Sequence, residues 1–572
     1  MMITISILTL IVAKALPVLN THISNIHFTR ITSIVFLFAG ALSLNILNLE
    51  ALGSGIGLYS GLFQVTTISQ VIEIFLFIIG GGILIGWPQI KETKTKTPLM
   101  LTETHSTDYS LIVLFSSLGS SLLISSYDLI SVYLSIELQS FGLYILSTLY
   151  RDSESSTSAG LKYFLLGGLS SCIILLGTGI IYSYTGTTNL ESLYILNSAI
   201  ELNHQNIILG ISLGIILIFV GFLFKIAAAP LHNWSPDVYD GTPTIVTTWL
   251  TIIPKISILV LLLELQIKLG QIGGLNTIII NNYGYLEYIN NLSGLNILFN
   301  QTNNYESLNI LKGLLYQPIP IIKALLLISA TLSLIIGSLL GLAQTRIKRL
   351  LAYSTISHIG FILLALAINT EQSIDSFIFY IIQYTITNLN IFLVILGFTY
   401  IFNNFNVFMF NKNLNKIKDI SFIYEFKGFF FYNPLLSISL AISLFSMAGI
   451  PPLIGFFSKQ FVLYSALQNG YYFITIIAII VSVISCSYYL QIIKVIFTSL
   501  EDKGSMDNNK INFSKNSLVG ESLFVDEDKK IHLTNTHSFI ISTLTFSILF
   551  FFIKPSLILN STQLLSLSLF YI

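Results

Sequence analysis

Long apolar stretches separated by short polar connectors run from one end of this chain to the other. A helix needs about 20 mainly apolar residues to cross the hydrocarbon core of a bilayer. We predict membrane spans, numbered in this order, at 3–19, 31–49, 69–87, 109–126, 129–150, 161–184, 207–230, 244–264, 321–343, 350–369, 376–402, 435–468, 471–497 and 538–554. The stretch 435–468 is too long for one straight span and is interrupted at Gly449-Ile450-Pro451-Pro452. The pattern predicts an all-α polytopic membrane protein with about 14 transmembrane helices.

The composition excludes a water-soluble globular protein. Hydrophobic residues make up 53% of the 572 residues and charged residues only 9%, whereas soluble domains carry roughly 25% charged residues. Lys plus Arg and Asp plus Glu each number 27, so the net charge gives no indication of nucleic acid as a partner. The two cysteines lie in separate apolar segments, and the sequence has no spacing typical of a zinc, haem or iron–sulfur site. We therefore predict no cofactor and no metal in this chain.

Basic residues collect in the loops that follow odd-numbered spans. Arg346, Lys348 and Arg349 follow span nine, whereas the loop after span ten carries Glu371 and Asp375. The positive-inside rule places the odd loops on the cytoplasmic or matrix side, so both termini are expected on the opposite side. The first apolar stretch lacks a basic leader and a small-residue cleavage site, and we expect it to be retained as span one.

A lysine lies within each of spans seven and eight, Lys225 and Lys255, and the connector between them is rich in Pro and Gly. A charge at the bilayer centre costs about 2.5–3.5 kcal/mol on insertion scales, so such residues usually mark ion pathways. The alternative is that each ammonium group snorkels to the interface, which for Lys225 requires the helix to end at Pro230. A helix that breaks near Lys225 and resumes beyond it would instead build an ion site, because freed carbonyls and helix ends line a cavity.

Three further ionisable residues lie deep in predicted spans. Glu137, in span five, is too far from either end to snorkel, and the alternative is a carboxyl group satisfied by neighbouring Ser or Gln side chains. Lys459 follows the interruption in span twelve. His358, in span ten, is a candidate proton relay or, alternatively, a partner of Ser354 or Ser357. Charges nearer span ends or on peripheral spans are expected to snorkel or lie at interfaces: Lys14, Glu73, Glu264, Lys323 and Lys494.

The spans divide into two units of five, residues 109–264 and 321–497. An odd number of spans inverts the second unit in the membrane, which makes the discontinuous spans seven and twelve equivalent, each with a break and a lysine. This division predicts N-terminal spans in 1–108, polar loops at 265–320 and 498–537, the second on the matrix side, and a last span with a tail in 538–572.

Four motifs give the chain a resemblance to the antiporter-like membrane subunits of respiratory complex I. They are APLHNWSPDVYDGTPT at 229–244, SAGLKYFLLGGLSS at 158–171, RLLAYSTISHIGF at 349–361 and MAGIPPLIGFFSKQFVL at 447–463. The long loops look similar to those of fungal members. The resemblance implies a charged axis formed by Glu137, Lys225, Lys255 and Lys459. The wider family has a histidine early in span eight where this chain has Trp249, which leaves Lys255 as the titratable group there.

The resemblance also implies a function. The chain would translocate protons as a subunit of an assembly in the inner mitochondrial membrane that oxidises NADH and reduces ubiquinone, while FMN and the iron–sulfur clusters lie in other subunits. Glu137 and Lys225 would form an ion pair whose opening releases a proton toward Lys255, His358 and Lys459 through water. Its partners would be lipids and neighbouring membrane-arm subunits.

Two alternatives remain at this point. A subunit of a cation/proton antiporter shares these motifs, but a Na⁺ exchanger should carry more intramembrane carboxylates than Glu137 alone. A structural spacer with an inactive channel is the second alternative, and the intact glutamate and three lysines argue against it.

Overall fold

A computed structural model describes residues 1–15, 25–49, 52–53, 55–86, 108–150, 153–199, 205–269, 321–410, 419–498 and 533–570. Most of the two predicted polar loops, 270–320 and 499–532, lies outside the described residues. The basic residues at 412–418 and the three lysines at 91–96 also lie outside them.

The described chain is almost entirely helical, and the all-α membrane class is confirmed. In chain order the helices are α1 (Met2–Ala15), α2 (Asn25–Ile46), α3 (Thr67–Ile85), α4 (Asp108–Ser125), α5 (Leu129–Thr148), α6 (Glu154–Thr185), α7 (Leu190–Ala199), α8 (Gln205–Lys225), α9 (Trp234–Gly241), α10 (Thr244–Leu269), α11 (Ile321–Leu342), α12 (Ile347–Ile368), α13 (Glu371–Phe410), α14 (Phe429–Tyr432), α15 (Pro434–Ala448), α16 (Ile454–Gln468), α17 (Tyr472–Phe497), α18 (Asn535–Phe550) and α19 (Ser556–Phe570). Short 3₁₀ turns lie at Ile423–Phe426 and Phe551–Ile553, and a hairpin of β1 (Ile56–Leu58) and β2 (Phe63–Val65) precedes α3.

Twelve of the helices in the described residues are long and apolar enough to cross a membrane, while α1 and α15 are shorter apolar helices. The predicted interruption of span twelve is confirmed, because α15 ends at Ala448 and α16 begins at Ile454. The elements that were not predicted include the hairpin, α7, the short α14, and α19, which occupies the predicted tail. Span eight was predicted to end at 264, but α10 continues to Leu269 because apolar residues alternate with polar ones to that point.

Local sequence signals define several helix ends. Asp128 caps α5, accepting a hydrogen bond from the Ile130 amide, and Ser131 bonds back to the Asp128 amide. Asn433 caps α15, whose first residue is Pro434, a favoured first helical position. Gly449 ends the same helix with φ 87°, a left-handed conformation that glycine adopts without steric cost.

Three helices form the centre of the molecule. The most apolar stretches of α10, α12 and the 371–401 part of α13 are about nine tenths buried within the chain, whereas those of α6 and α17 are only one third buried. Helix α10 packs on α4 and α13, and α12 packs on α11, α13 and α16. Since the outward helices are apolar, the centre is shielded from lipid by other helices of the same chain.

Candidate functional site

The first helix break lies directly after Lys225. Helix α8 ends at this residue, turns occupy 226–233, and α9 begins at Trp234. The backbone oxygen of Phe224, in the last turn of α8, accepts from the amide of Ala227 and also from the indole Nε1 of Trp234 at 2.9 Å. The chain therefore breaks where the Pro and Gly content predicted, and it leaves the lysine side chain available for another partner.

That partner is Glu137 on α5. The Nζ atom of Lys225 lies 3.5 Å from Oε1 of Glu137, and the side chains are 7% and 15% exposed. Of the neighbours proposed as alternative partners for the carboxyl group, Gln139 hydrogen-bonds Ser257, and Ser140 donates to the backbone oxygen of Glu137. Lys225 is buried and ion-paired, so the snorkelling alternative is wrong for this residue.

Lys255 is buried on α10, one residue after Pro254, and does not snorkel. Its Nζ atom has no hydrogen-bond partner among the described residues. It lies 5.6 Å from the ring centroid of Tyr239 and 5.9 Å from that of Tyr384. Aromatic faces attract a cation, so the two tyrosines are its nearest favourable surroundings.

His358 on α12 is buried, and both of its ring nitrogens are engaged. Nδ1 lies 2.8 Å from the hydroxyl of Tyr380 on α13, and Nε2 lies 3.2 Å from the hydroxyl of Tyr489 on α17. The two serines considered as partners instead donate to backbone carbonyls of their own helix. The serine alternative is therefore wrong.

Lys459 on α16 binds the second helix break. Its Nζ atom donates to the backbone oxygens of Met447 at 3.0 Å and Ala448 at 2.8 Å, the last two residues of α15. These carbonyls lack helical partners because the chain turns at Gly449, and a cation at a helix C-terminus is electrostatically favourable. Sequence reasoning predicted the break but not this contact. The Gly449-Ile450-Pro451-Pro452 run ends α15 and so leaves backbone carbonyls free to bind a nearby lysine, which is the signal that could have predicted it.

We call Glu137, Lys225, Lys255, His358 and Lys459 the polar row. The Gln139–Ser257 hydrogen bond, 3.0 Å, joins the segment that carries Glu137 to the segment that carries Lys255. Tyr384 lies beside both Lys255 and His358, with its ring centroid 5.9 Å from that of the imidazole.

The second half of the row is joined in a similar way. Phe361 stacks on Tyr380 and lies 5.7 Å from the Lys459 ammonium group. The fold therefore brings Lys255, His358 and Lys459 into one buried region with aromatic side chains beside each of them, and the Glu137–Lys225 pair adjoins it through the Gln139–Ser257 hydrogen bond.

Sequence reasoning missed one buried acid. Glu264 was assigned to a span end, but α10 extends beyond it and its side chain is buried. Lys268, one turn further along, lies 3.6 Å from the ring centroid of Tyr127. The apolar residues on both sides of Glu264 carry the signal that the helix continues.

A set of ion pairs, the clamp, joins α9 to α12 and consists of Lys162, Asp237, Asp240, Arg346 and Arg349. Arg346 lies 2.6 Å from Asp240, and Arg349 lies 3.1 Å from Asp240 and 3.0 Å from Asp237. Lys162 of α6 pairs with Asp237 at 3.0 Å. These side chains line a cleft of about 200 Å³. The acids of α9 lie three residues apart and so share one face of the half-helix.

Lys348 extends the contact beside the clamp. Its Nζ atom lies 2.8 Å from the Thr242 carbonyl and 2.5 Å from Asp419, which also accepts from the amide of Thr244 at the start of α10. The half-helix that follows the first break is thus fixed to the helix that carries His358.

The polar row has the chemistry of a proton path. Amines, an imidazole, a carboxylate and phenol hydroxyls all exchange protons, and buried ionisable groups within membrane helices are costly to retain without a role. Within the described ranges, no group of three or more His, Cys, Asp or Glu side chains could hold a metal ion. The prediction that this chain carries no redox centre stays a prediction.

Comparisons with known proteins identify the family of the chain. The family described as NADH:quinone oxidoreductase/Mrp antiporter, transmembrane, matches residues 126–281 and 308–485. The NADH-ubiquinone oxidoreductase chain 2 of Rhizopus oryzae is 46% identical, with 100% of each chain covered.

Solved structures agree at the level of the fold. A chain of the respiratory complex I of Thermus thermophilus superposes with a TM-score of 0.65 at 21% identity, covering 98% of both chains. A chain of the Mrp complex of Dietzia sp. superposes with a TM-score of 0.68 at 16% identity, covering 99% of this chain and 96% of that one. The family match and the full-length relative lead to one conclusion: the chain belongs to the NADH:quinone oxidoreductase/Mrp antiporter family of membrane proteins.

Proposed function

We propose that the chain translocates protons as a membrane subunit of a respiratory NADH:ubiquinone oxidoreductase, complex I, in the inner mitochondrial membrane. The observation that carries the proposal is the buried Glu137–Lys225 pair at a helix break, followed by Lys255, His358 and Lys459 in one connected region. The full-length fungal relative bears the name of such a subunit. NADH, FMN, iron–sulfur clusters and ubiquinone would act in other subunits, and neighbouring membrane-arm subunits and lipids would contact this one.

In this mechanism the ion pair is the controlling element. While Glu137 lies beside Lys225, the carboxylate stabilises the ammonium form. Separation of the pair removes this stabilisation, and the ammonium group then gives its proton to the next acceptor through water. Lys255 has no counter-ion within the described residues and can receive a proton only into an environment of aromatic faces. The proton then moves to His358 and from there to Lys459.

We also propose that residues 109–264 and 321–497 form two inverted five-helix units within about 14 spans. The two broken helices support this division by running in opposite directions. The α8–α9 pair ends at Gly241, next to Asp240, which pairs with Arg346. The α15–α16 pair instead follows Asp419, which binds Lys348 at the same end of the molecule. The other divisions, at 1–108, 265–320, 498–537 and 538–572, complete this proposal, with both termini on the intermembrane-space side.

The rival function is ion exchange in a cation/proton antiporter, favoured by the similarity to the Mrp complex. One experiment separates the two. The chain is purified with its partners in mild detergent and reconstituted into vesicles that contain a pH-sensitive dye. Proton uptake driven by NADH and a soluble quinone, with co-purified flavin and iron–sulfur clusters, supports the proposal. Proton movement that follows a Na⁺ gradient and ignores NADH would establish the rival instead.

A further inference from the structure

The pair of tyrosines that bind His358 has no assigned role. Tyr380 and Tyr489 are fully buried, and their hydroxyl groups contact opposite nitrogens of the same imidazole, at 2.8 and 3.2 Å. The rings come from α13 and α17, so two separate helices hold the histidine between them. Buried polar atoms are normally hydrogen-bonded, but here both partners of the imidazole are phenol hydroxyls, groups that can themselves donate and accept a proton.

A neutral imidazole has one N–H donor and one nitrogen acceptor. Since each nitrogen of His358 meets a hydroxyl, one tyrosine accepts from the ring while the other donates to it. The arrangement is a continuous hydrogen-bonded chain, Tyr380–His358–Tyr489, with a fixed polarity at any moment. Reversing that polarity exchanges the two tautomers of the ring.

The neighbours of this chain are members of the polar row. Tyr384, beside the imidazole, also lies beside Lys255, and Tyr380 stacks on Phe361, over which Lys459 lies. His358 and its partner Tyr380 therefore lie between side chains that contact the two lysines, and Tyr489 binds the other nitrogen of the same ring.

We propose that Tyr380 and Tyr489 are proton-relay residues that carry the proton to and from His358. A proton arriving at one phenol oxygen displaces that hydroxyl's own proton onto the nearer ring nitrogen. The opposite ring N–H then gives its proton to the second phenol oxygen, which releases its own proton onward. The triad holds the same number of protons before and after, and only the tautomer and the hydroxyl directions have changed. Rotation of the hydroxyls and return of the tautomer prepare the triad for the next proton.

This inference rests on the proposed function, and its test uses the whole assembled complex in native membranes. Tyr380→Phe and Tyr489→Phe remove only the hydroxyls and keep the rings. We expect each to slow NADH-driven proton transfer per assembled complex by about tenfold or more, as for the loss of a positioned proton-transfer group. The ratio of rates in H₂O and D₂O should rise in both variants, because proton transfer becomes the slow step, and a purely structural role would not produce that rise.

Tyr400→Phe is the matched control. Tyr400 lies on the same helix as Tyr380, and its buried hydroxyl has no hydrogen-bond partner among the described residues. The control should pump normally. Normal pumping in either Tyr380→Phe or Tyr489→Phe overturns the relay. Loss of assembly in both, with Tyr400→Phe assembled, also overturns it in favour of a structural role.

Glu137→Gln in the same membranes distinguishes this failure from failure of the proposed function. If Glu137→Gln abolishes pumping while both Phe variants are normal, the tyrosine relay is wrong and the proposed function stands. If Glu137→Gln pumps normally too, the proposed function is wrong.

Discussion

The two lysines at the helix breaks have different partners. Lys225 faces a side-chain carboxylate that can rotate away, whereas Lys459 is bound by two backbone carbonyls that belong to a helix end. The Glu137 carboxylate can separate from Lys225 by a change of its own rotamer, whereas the carbonyls that bind Lys459 are fixed by the backbone of α15, so only the lysine side chain can move away. We infer that Lys225 is the control point of the row and Lys459 a fixed one.

The first prediction concerns the control point. Glu137→Gln keeps the size of the side chain but removes the charge that Lys225 pairs with, so we expect NADH:ubiquinone activity and pumping to fall while the complex remains assembled. Breaking a buried pair leaves a lone charge, so the amount of complex should also fall somewhat. Both rates are measured per assembled complex. Glu73→Gln, the same change at a partly buried acid outside the row, is the control and should leave both rates unchanged.

The second prediction compares the lysines. Lys459→Met leaves the carbonyls of Met447 and Ala448 without their donor, at a cost of roughly 1–3 kcal/mol for each buried group. We therefore expect lower pumping together with a lower melting temperature of the complex. Lys225→Met strands Glu137 instead and should also stop pumping. If the Lys459→Met variant pumps normally while the Lys225→Met variant does not, the proton path does not include Lys459 and leaves the polar row before it reaches α16.

At the scale of single residues, the sequence identified all five members of the polar row and, through the family resemblance, the pairing of Glu137 with Lys225. It did not identify the partners of Lys255, His358 or Lys459. A charge in an apolar stretch is visible in any membrane sequence because its insertion cost is high. The hydroxyl partners of His358 are 22 and 131 residues away, on helices whose tyrosines look like ordinary apolar positions. Which ring faces the histidine depends on how three helices pack, and no local pattern records it.

Among the elements, the broken helix α15–α16 depends on one close approach. A Cβ atom at Gly455, in the first turn of α16, would lie 1.8 Å from the carbonyl oxygen of Ser446 in α15. Glycine is thus required there so that the two halves can meet and Lys459 can reach the carbonyls.

The third prediction follows from that approach. Gly455→Ala should separate the halves, lower the stability of the complex by roughly 1–3 kcal/mol and reduce pumping. Thermal melting and pumping of the purified complex are the measurements. Gly179→Ala is the matched control, because a Cβ atom there meets nothing within 4 Å on helix α6. Equal melting temperatures for the two variants would show that the halves tolerate separation.

The fourth prediction concerns the clamp. Asp240 is only 10% exposed and pairs with two arginines, whereas Lys162 is 55% exposed and has one partner. Exposed pairs contribute about 0–1 kcal/mol, and removing one partner of a buried pair costs more. Asp240→Asn should therefore lower the melting temperature and the pumping rate clearly more than Lys162→Met does. A larger effect from Lys162→Met would mean that α9 is not held through Asp240.

The hydrophobic pattern predicted the helix breaks but missed some of the helices. Proline and glycine predicted both breaks because they interrupt helical hydrogen bonding directly. Helices α7 and α19 were missed because one is short and the other has serines and an asparagine among its apolar residues, so neither reached the length required of a span.

For the whole molecule, the fifth prediction tests orientation. Phe422 bridges to Arg346 at the clamp end of the molecule, while Glu371 starts the helix that follows α12 at the opposite end. Cys172 and Cys486 are replaced by serine, and single cysteines are placed at Tyr424 and Glu371. A membrane-impermeant thiol reagent should label position 424 only from the matrix and 371 only from the intermembrane space. Labelling of both from one side would contradict the span count and the inverted units.

The burial of α10, α12 and α13 has a consequence for how the protein behaves in different membranes. These helices carry Lys255, His358 and two of the tyrosines beside them, and about nine tenths of their most apolar stretches, in α13 within 371–401, is buried within the chain. The medium around this part of the proposed proton path is therefore the protein's own side chains, so the amino-acid sequence determines its polarity. Transfer into bilayers of another thickness or headgroup composition should leave the chemistry of the path unaltered as long as the outer helices stay in place.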